Sequence, residues 1–301
     1  MYDKPGAIEN LVHLYVDGAF SRREIIRRLT LQTGSAAAAI GILGEFGLSN
    51  ATAQTTCPVD ASVPADAPDL VSGDVSFPGE AGPVLGYLSR PGQLLRDSTP
   101  AVIVIHENRG LVEHIRDVTR RTARAGFVAL GVDLLSRQGG TAQFTDPVQQ
   151  QAAYAQTTQD QRRSDLISAL DFLKHLPFVQ FDRIGTVGFC AGGGNVWDLA
   201  ANLPELAAAV SFYGVPPAIA QIDAISAPIL GHYAELDRSL TLRMPDAITA
   251  MIGKQKTFGF HIYQGVGHAF HNDTGPSYDP AAACDAWTRT IAWFNKFLLA
   301  I

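Results

Sequence analysis

The stretch Gly188-Phe189-Cys190-Ala191-Gly192-Gly193-Gly194 decides the fold that this sequence predicts. It follows the apolar run 184–189, which is typical of a buried strand, and it opens a predicted helix from about residue 193 to 202. Glycines around a reactive side chain permit a sharp strand-to-helix turn and a close approach of the two backbones. Cys190 would then project from the carboxyl end of a strand, where the helix N-terminus favours a thiolate. The alternative is a buried cysteine at a glycine-rich turn.

Outward from this turn, the chain alternates between predicted strands and helices. Residues 101–105 form a continuous apolar run, which predicts a strand buried on both faces. The other predicted strands are 71–77, 84–89, 127–132, 207–213, 228–233 and 257–263, and the other predicted helices are 112–125, 161–176, 242–252 and about 280–299. The alternation predicts one α/β domain over residues 62–301, with an α/β-hydrolase fold: a mostly parallel sheet with helices on both faces.

The composition excludes several classes of protein. Hydrophobic residues make up 47% of the 301 residues, which is enough for a packed core and excludes a mainly disordered chain. No apolar run reaches the roughly 18 residues that span a membrane. A net charge of −6 without a long basic stretch argues against nucleic-acid binding. Three cysteines allow one disulfide at most, and we interpret Cys57 as a linker residue and Cys284 as a residue of the last helix.

Residues 1–61 form a segment of their own, with two interpretations. Arg22-Arg23 precede the apolar stretch 36–48 and the small residues Ala51-Thr52-Ala53, as in a twin-arginine export signal. Cleavage of such a signal would give a periplasmic protein.

The second interpretation of this segment is a retained helical arm. Ser21 and Glu24 form an S-x-x-E capping box, which predicts a helix from residue 22, and Glu45 lies within the apolar stretch, where export signals rarely carry an acid. An arm of short helices would have to pack on the main domain or on a second subunit. It would then belong to a cytoplasmic protein, and a homo-oligomer could form through it.

A cysteine nucleophile needs a base and a group that orients the base, and both follow in the order that this fold requires. Asp237 comes just after the predicted strand 228–233, and His268 comes just after the next one. The carboxyl ends of parallel strands meet at one edge of the sheet. We therefore predict a catalytic triad of Cys190, Asp237 and His268. The alternatives are a helix cap for Asp237 and a turn residue for His268.

The loop His106-Glu107-Asn108-Arg109-Gly110 follows the predicted strand 101–105. In this fold that loop supplies one amide of the oxyanion hole, so we assign the N–H groups of Asn108 and Ala191 to it. Glu107 would lie near the thiol and could hold or accept its proton, and a salt bridge with Arg109 is the alternative. Gly110 excludes the H-E-x-x-H zinc motif, and no nucleotide motif is present, so no cofactor is predicted.

Taken together, Glu107, Cys190, Asp237 and His268 resemble the dienelactone hydrolase (carboxymethylenebutenolidase) family. The resemblance covers about residues 70–300. Further matching residues are Val132-Asp133-Leu134, Arg137-Gln138, Tyr154, Phe212-Tyr213-Gly214 and Gly267-His268-x-Phe270. The loop 106–110 and the stretch Phe270-His271-Asn272-Asp273 resemble a branch of the family with an N-terminal helical extension.

The resemblance implies a mechanism. Cys190 would attack the carbonyl of a small ester or lactone with the help of His268 and Asp237, and water would hydrolyse the resulting thioester. Glu107 would pair with the resting thiol and release it as a thiolate when an anionic substrate enters. A non-catalytic binding protein of the same fold is the alternative function. A redox-responsive thiol protein is a third, but Cys190 lacks a neighbouring resolving cysteine.

The resemblance also implies a changed substrate preference. In the family, two arginines bind the carboxylate of the substrate, whereas this chain has Asn272 and Gln150 at the matching positions. Loss of a bidentate arginine removes a contact of roughly 1.5–3 kcal/mol. We therefore expect a neutral ester or lactone, or one whose charge is placed differently. The candidate substrate-binding residues are Arg109, Tyr154, His271 and Asn272, with Arg109 as a candidate replacement for one missing arginine.

Overall fold

The structure is a computed structural model that describes residues 7–16, 20–45, 57, 60–94 and 98–299. One sheet of eight strands in the order β1-β2-β4-β3-β5-β6-β7-β8 forms the centre of the molecule. The strands are β1 (Leu70–Gly79), β2 (Gly82–Pro91), β3 (Thr99–Ile105), β4 (Val128–Asp133), β5 (Val179–Phe189), β6 (Ala208–Phe212), β7 (Ile229–Ala234) and β8 (Phe258–Tyr263). Strand β2 pairs antiparallel with β1 and with β4, and all other pairs are parallel.

Helices connect the parallel strands and cover the sheet. They are α4 (Glu113–Arg124), α5 (Pro147–Ala155), α6 (Gln159–Lys174), α7 (Ala191–Asn202), α8 (Arg238–Thr241), α9 (Met244–Gly253) and α10 (Pro280–Phe294), which a π-helical turn (Asn295–Leu299) extends. Three further helices precede the sheet in the chain: α1 (Ala7–Val16), α2 (Arg22–Thr33) and α3 (Ala36–Glu45). Among the described residues, no helix is long and apolar enough to cross a bilayer.

The predicted α/β-hydrolase fold is confirmed, and strand β3 shows why the sequence predicts it well. Every residue of β3 is buried, as expected for a strand covered on both faces. The elements differ from the prediction mainly at their ends. Helix α6 begins two residues early because Thr158 Oγ1 accepts a bond from the N–H of Gln161, whose side chain accepts one from the N–H of Thr158. Helix α5 is absent from the prediction, although Asp146-Pro147 marks its start.

Helices α1, α2 and α3, which we call the N-terminal arm, pack as part of the hydrophobic core. Ile25 and Leu29 of α2 and Leu43 of α3 are buried in the same cluster as the sheet. Ser21 caps α2 as predicted, because its Oγ accepts a bond from the N–H of Glu24. The predicted cleavage site, residues 51–53, lies outside the described residues. Export therefore stays a prediction, which N-terminal sequencing of protein from native cells would test.

The sequence assigns Cys57 to a linker and Cys284 to the last helix, which is α10, and it allows at most one disulfide without identifying the pair. A disulfide joins them, with the two Cα atoms 5.6 Å apart. Sequence spacing cannot identify this pair, because the fold brings together two residues that are 227 positions apart. The bond fixes Cys57, at the end of the N-terminal segment, to helix α10, and it leaves Cys190 as the cysteine that keeps its thiol.

Candidate active site

A tight turn between β5 and α7 presents Cys190. Its backbone dihedrals are φ 54° and ψ −115°, a conformation that non-glycine residues rarely adopt. The turn requires glycine on either side, because a Cβ at Gly188 would lie 2.3 Å from the carbonyl oxygen of Gly192. Strain of this kind is common where a fold orients a reactive side chain. The thiol is thus held at the carboxyl edge of the sheet.

The structure brings the three predicted triad residues together. His268 lies in the loop after β8, and its Nδ1 lies 2.5 Å from Oδ2 of Asp237, which follows β7. The other carboxylate oxygen of Asp237 accepts a hydrogen bond from Ser239 at 3.1 Å. Cys190 lines the same cavity as His268, and the two side chains interact electrostatically. This arrangement has the order that a nucleophile, a base and an orienting acid require.

The electrostatics of this group favour a charged imidazole. Burial by itself lowers the pKa of His268, since its side chain is only 13% exposed. The charge of Cys190 and the hydrogen bond to Asp237 outweigh burial and hold the pKa of His268 well above its ordinary value. A protonated His268 beside Cys190 favours a thiolate, which is the nucleophilic form of cysteine.

The two backbone amides predicted to form the oxyanion hole, those of Asn108 and Ala191, belong to residues that lie near each other. Helix α7 begins directly against the end of β3. The backbones are so close that a Cβ at Gly192 would lie 2.3 Å from the carbonyl oxygen of Ile105, so only glycine fits there. This close approach sets Ala191 beside the loop that carries Asn108, and both residues line one cavity. Within the described chain, neither N–H group donates to a backbone carbonyl or a side chain. Both amides can therefore donate to a substrate oxygen.

Glu107 lies in a buried polar pair rather than on the cavity wall. Its side chain is 1% exposed, and both carboxylate oxygens accept bonds from Nδ2 of Asn272, at 3.2 and 3.3 Å. A guanidinium nitrogen of Arg109 lies 3.8 Å from Oε2. Asn272 thus contacts Glu107 from the position where the resemblance implies an arginine. The salt bridge that the sequence offers as an alternative for Glu107 is formed.

Among the predicted substrate-binding residues, Tyr154 alone lines the main cavity at the triad. His271 and Asn272 are fully buried, and His271 stacks on Phe189 at 5.2 Å between ring centroids. Arg109 is 6% exposed and contacts Glu107. Substrate contact by these three residues stays a prediction that would require them to move.

A cavity of about 700 Å³, which we call the catalytic cavity, opens over Cys190 and His268. Sequence reasoning missed most of its walls. They include Arg162 of α6, Trp197 of α7 and Arg243. No spacing or motif distinguishes these residues from ordinary helix and loop positions. Their role follows only from the way in which the connections between strands fold over the sheet edge.

Arg162 is a cation without a carboxylate partner among the described residues. Its guanidinium donates to the carbonyl and hydroxyl oxygens of Thr157, both at 2.7 Å, and to side-chain oxygens of Gln159 and Asn195. It also lies over the ring of Tyr154, 4.9 Å from the centroid. All of these partners are neutral. Within the described part of the chain, the positive charge at the cavity wall thus has no direct ion pair.

A buried charged cluster fixes the loop that follows His268. Arg121 of α4 bonds to Asp117, to Asp60 at 2.9 Å and to Asp273, and His114 lies 3.2 Å from Asp273. Burial raises the pKa of Asp273, but the bond to His114 and the charge of Arg121 hold it below its usual range. The cluster ties the segment around Asp60 to the loop behind the triad.

The family relationship follows from a sequence comparison. The sequence model of the Dienelactone hydrolase family matches residues 84–298, which is more than half of the chain and includes the whole catalytic cavity. The chain belongs to the dienelactone hydrolase family. It is therefore a hydrolase of the α/β-hydrolase fold, as the resemblance in the sequence implies.

Individual relatives of the dienelactone hydrolase family agree with this assignment. The Methylorubrum extorquens protein named "Putative carboxymethylenebutenolidase" is 33% identical over 306 residues, covering 97% of this chain and 98% of that protein. A Bradyrhizobium sp protein named "Probable 2-oxo-3-(5-oxofuran-2-ylidene)propanoate lactonase" is 33% identical and covers 75% of this chain and 93% of its own. A solved structure titled "Putative Dienelactone Hydrolase", from Klebsiella pneumoniae, has a TM-score of 0.70 and 29% identity, covering 76% and 99% of the two chains. The first alignment extends into the N-terminal arm.

Proposed function

We propose that this dienelactone hydrolase family member cleaves carboxylic esters or lactones through a thioester on Cys190. The observation that carries the proposal is the grouping of Cys190, His268 and Asp237 at one cavity beside the strained β5–α7 turn, with Nδ1 of His268 2.5 Å from Oδ2 of Asp237. Such an arrangement is typical of nucleophilic catalysis. The names of the relatives, one a carboxymethylenebutenolidase and one a lactonase, support the same class of substrate.

In the first half-reaction, the Cys190 thiolate attacks the carbonyl carbon. The electron pair of the C=O double bond moves to the oxygen, and the N–H groups of Asn108 and Ala191 stabilise the resulting oxyanion. When the tetrahedral intermediate collapses, the bond to the alkoxy oxygen breaks. That oxygen takes the proton of the His268 imidazolium and leaves as an alcohol, or stays tethered if the substrate is a lactone. Cys190 is left as a thioester beside a neutral imidazole.

In the second half-reaction, water hydrolyses the thioester. His268 accepts a proton from the water as its oxygen bonds to the carbonyl carbon. The second tetrahedral intermediate then breaks the C–S bond and releases the carboxylic acid, which restores the thiolate and the imidazolium. Asp237 orients the ring of His268 throughout. We assign Glu107 to positioning the loop of the oxyanion hole, through its contacts with Asn272 and Arg109.

We also infer that Arg162 replaces the missing family arginines. It lines the catalytic cavity, and all of its described partners are neutral, so its charge can bind a substrate carboxylate. Arg109 is already paired with Glu107 and is buried. The substrate is therefore an ester or lactone whose anionic group lies on the α6 side of the thiol.

Intact-protein mass spectrometry after brief mixing with p-nitrophenyl acetate tests the mechanism. We expect the wild type to gain one acetyl group and to release p-nitrophenol over many turnovers. Cys190→Ala should gain no acetyl group and should lose turnover by a factor on the order of 10³ or more. The matched control is the pair of changes Cys57→Ser and Cys284→Ser, which leaves the one proposed nucleophile in place. Full activity in Cys190→Ala would refute the proposal and favour a different nucleophile. No adduct and no turnover in the wild type would favour a binding protein.

A further inference from the structure

A second cavity, of about 820 Å³, lies between the N-terminal arm and the catalytic domain. We call it the arm chamber. Helices α1 and α2 form its outer wall with Leu11, Leu14, Arg28 and Gln32, and helix α5 forms the opposite wall with residues such as Ala152. The function proposed above uses only the inner edge of this space, at Asn108, Ala191 and Arg162.

The arm chamber adjoins the catalytic cavity, because three residues form part of both walls. Tyr154, Arg162 and Ala191 line both cavities, and Asn108 lines the chamber. The two proposed donors to the substrate oxygen, Asn108 and Ala191, are thus part of the chamber wall. A group bound in the chamber would therefore be connected directly to the carbonyl that these amides hold.

The position of the base decides which half of the substrate enters the chamber. His268 and Asp237 line the catalytic cavity and do not line the arm chamber. In the proposed function, His268 gives its proton to the alkoxy oxygen, so the leaving group must lie on the cavity side. The acyl group then extends from the carbonyl carbon in the other direction, towards the chamber.

The chamber walls indicate an apolar acyl chain. Five of the side chains that reach it are aliphatic and come from both sides: Leu11, Leu14, Val148, Ala152 and Ala155. Among the described residues, no carboxylate lines it. The charge of Arg28 is already paired with Glu24 at 2.6 Å, and Arg162 lies where the chamber adjoins the catalytic cavity. Burial of methylene groups against such walls favours binding in proportion to the apolar area that leaves water.

We propose that the arm chamber is an acyl-binding subsite, in which helices α1 and α2 select esters of medium-length apolar acids. The proposal rests on the function proposed above, because it uses the roles of His268 and the two amides. It makes the N-terminal arm a specificity element, and it explains why α1 and α2 pack beside the oxyanion hole rather than on a remote face.

The experiment compares kcat/KM for p-nitrophenyl acetate and p-nitrophenyl octanoate in the full-length protein. We expect the wild type to prefer the octanoate by at least about tenfold, as burial of several methylene groups predicts. Gln32→Trp places a large ring at the outer wall, where Gln32 is exposed, and should lower the octanoate-to-acetate ratio about tenfold. Leu31→Trp is the matched control, since Leu31 is 73% exposed, neighbours Gln32 on the same helix and does not line the chamber.

A second variant keeps the test decisive if Gln32→Trp disturbs the arm. Ala152→Trp narrows the chamber from α5, on the catalytic domain, and should lower the same ratio. Unchanged ratios in both folded variants, or a wild type that prefers the acetate, would overturn the subsite. Failure of the proposed Cys190 mechanism gives a different result from failure of the subsite. Turnover of p-nitrophenyl acetate would then persist in Cys190→Ala.

Discussion

The two cavities on either side of Cys190 differ in where their walls come from. The catalytic cavity is built entirely within the region that matches the family, from residues such as Tyr213, Asp237 and His268. The outer wall of the arm chamber comes from α1 and α2, which precede that region. In the two proposals, bond cleavage uses residues of the family region alone, whereas acyl selection also uses the N-terminal arm. Changes in one cavity should therefore leave the other function in place.

The largest expected effect comes from the catalytic cavity. Asp237→Asn removes the carboxylate that orients His268, and we expect kcat to fall by a factor on the order of 10³–10⁴. The octanoate-to-acetate ratio should stay the same, because the arm chamber is untouched. The variant should also lower the pKa of His268, since the bond to Asp237 helps to raise it.

The measurements are steady-state kinetics with both esters and an NMR titration of the histidine ring. The neutral ring should appear at lower pH in the variant than in the wild type. Asp246→Asn, an exposed change on α9, is the control. A changed acyl preference in Asp237→Asn would show that the two cavities are not independent, and an unchanged titration would contradict the contact between Asp237 and His268.

The difference between the two regions also explains what the sequence could predict. The spacing of the glycines predicts the strained turn at Cys190, and the unbroken apolar run predicts the buried strand β3. Both patterns lie within a few residues of the feature that they predict. Asp237 and His268 follow from strand ends, since parallel strands place their carboxyl ends at one edge. These predictions need no knowledge of distant contacts.

The arm chamber, Arg162 and the disulfide could not be predicted in the same way. The aliphatic side chains of α1 have the spacing of any buried helix face, and the partner of that face lies far along the chain. Arg162 resembles its neighbour Arg163 in sequence, yet Arg163 is paired with Asp198 and Asp160 and Arg162 has neutral partners. Only tertiary packing distinguishes them. Burial likewise shows that Asn272 contacts Glu107 inside the protein.

An intermediate effect is expected at Arg162, where the two cavities meet. Arg162→Gln should lower kcat/KM for mono-p-nitrophenyl glutarate by about 10- to 150-fold, the equivalent of a lost charge-assisted contact of roughly 1.5–3 kcal/mol. The neutral ester p-nitrophenyl butanoate should lose much less. Arg162→Lys should recover part of the glutarate activity, because it restores the charge without the planar geometry.

Arg163→Gln is the control for this prediction, because it changes the adjacent arginine, whose charge is already paired with Asp198 at 2.7 Å. Equal losses for the glutarate and the butanoate in Arg162→Gln would indicate that Arg162 only supports the loop around Thr157 and Asn195. That result would favour the neutral substrate that the sequence also allows, since such a substrate needs no replacement for the missing family arginines.

The smallest effect is expected in the arm itself. Ser21→Ala removes the oxygen that accepts the N–H of Glu24 at the start of α2, at a cost of about 1 kcal/mol of local stability. A less firmly held α2 leaves the outer wall of the chamber less defined, so the octanoate-to-acetate ratio should fall a few-fold while acetate turnover is unchanged. Amide hydrogen exchange in α2 should quicken by about fivefold, and exchange in β3 should stay as in the wild type. If exchange in α2 becomes faster and the octanoate-to-acetate ratio does not change, the stability of the arm does not control acyl selection. The role of α2 would then be packing alone.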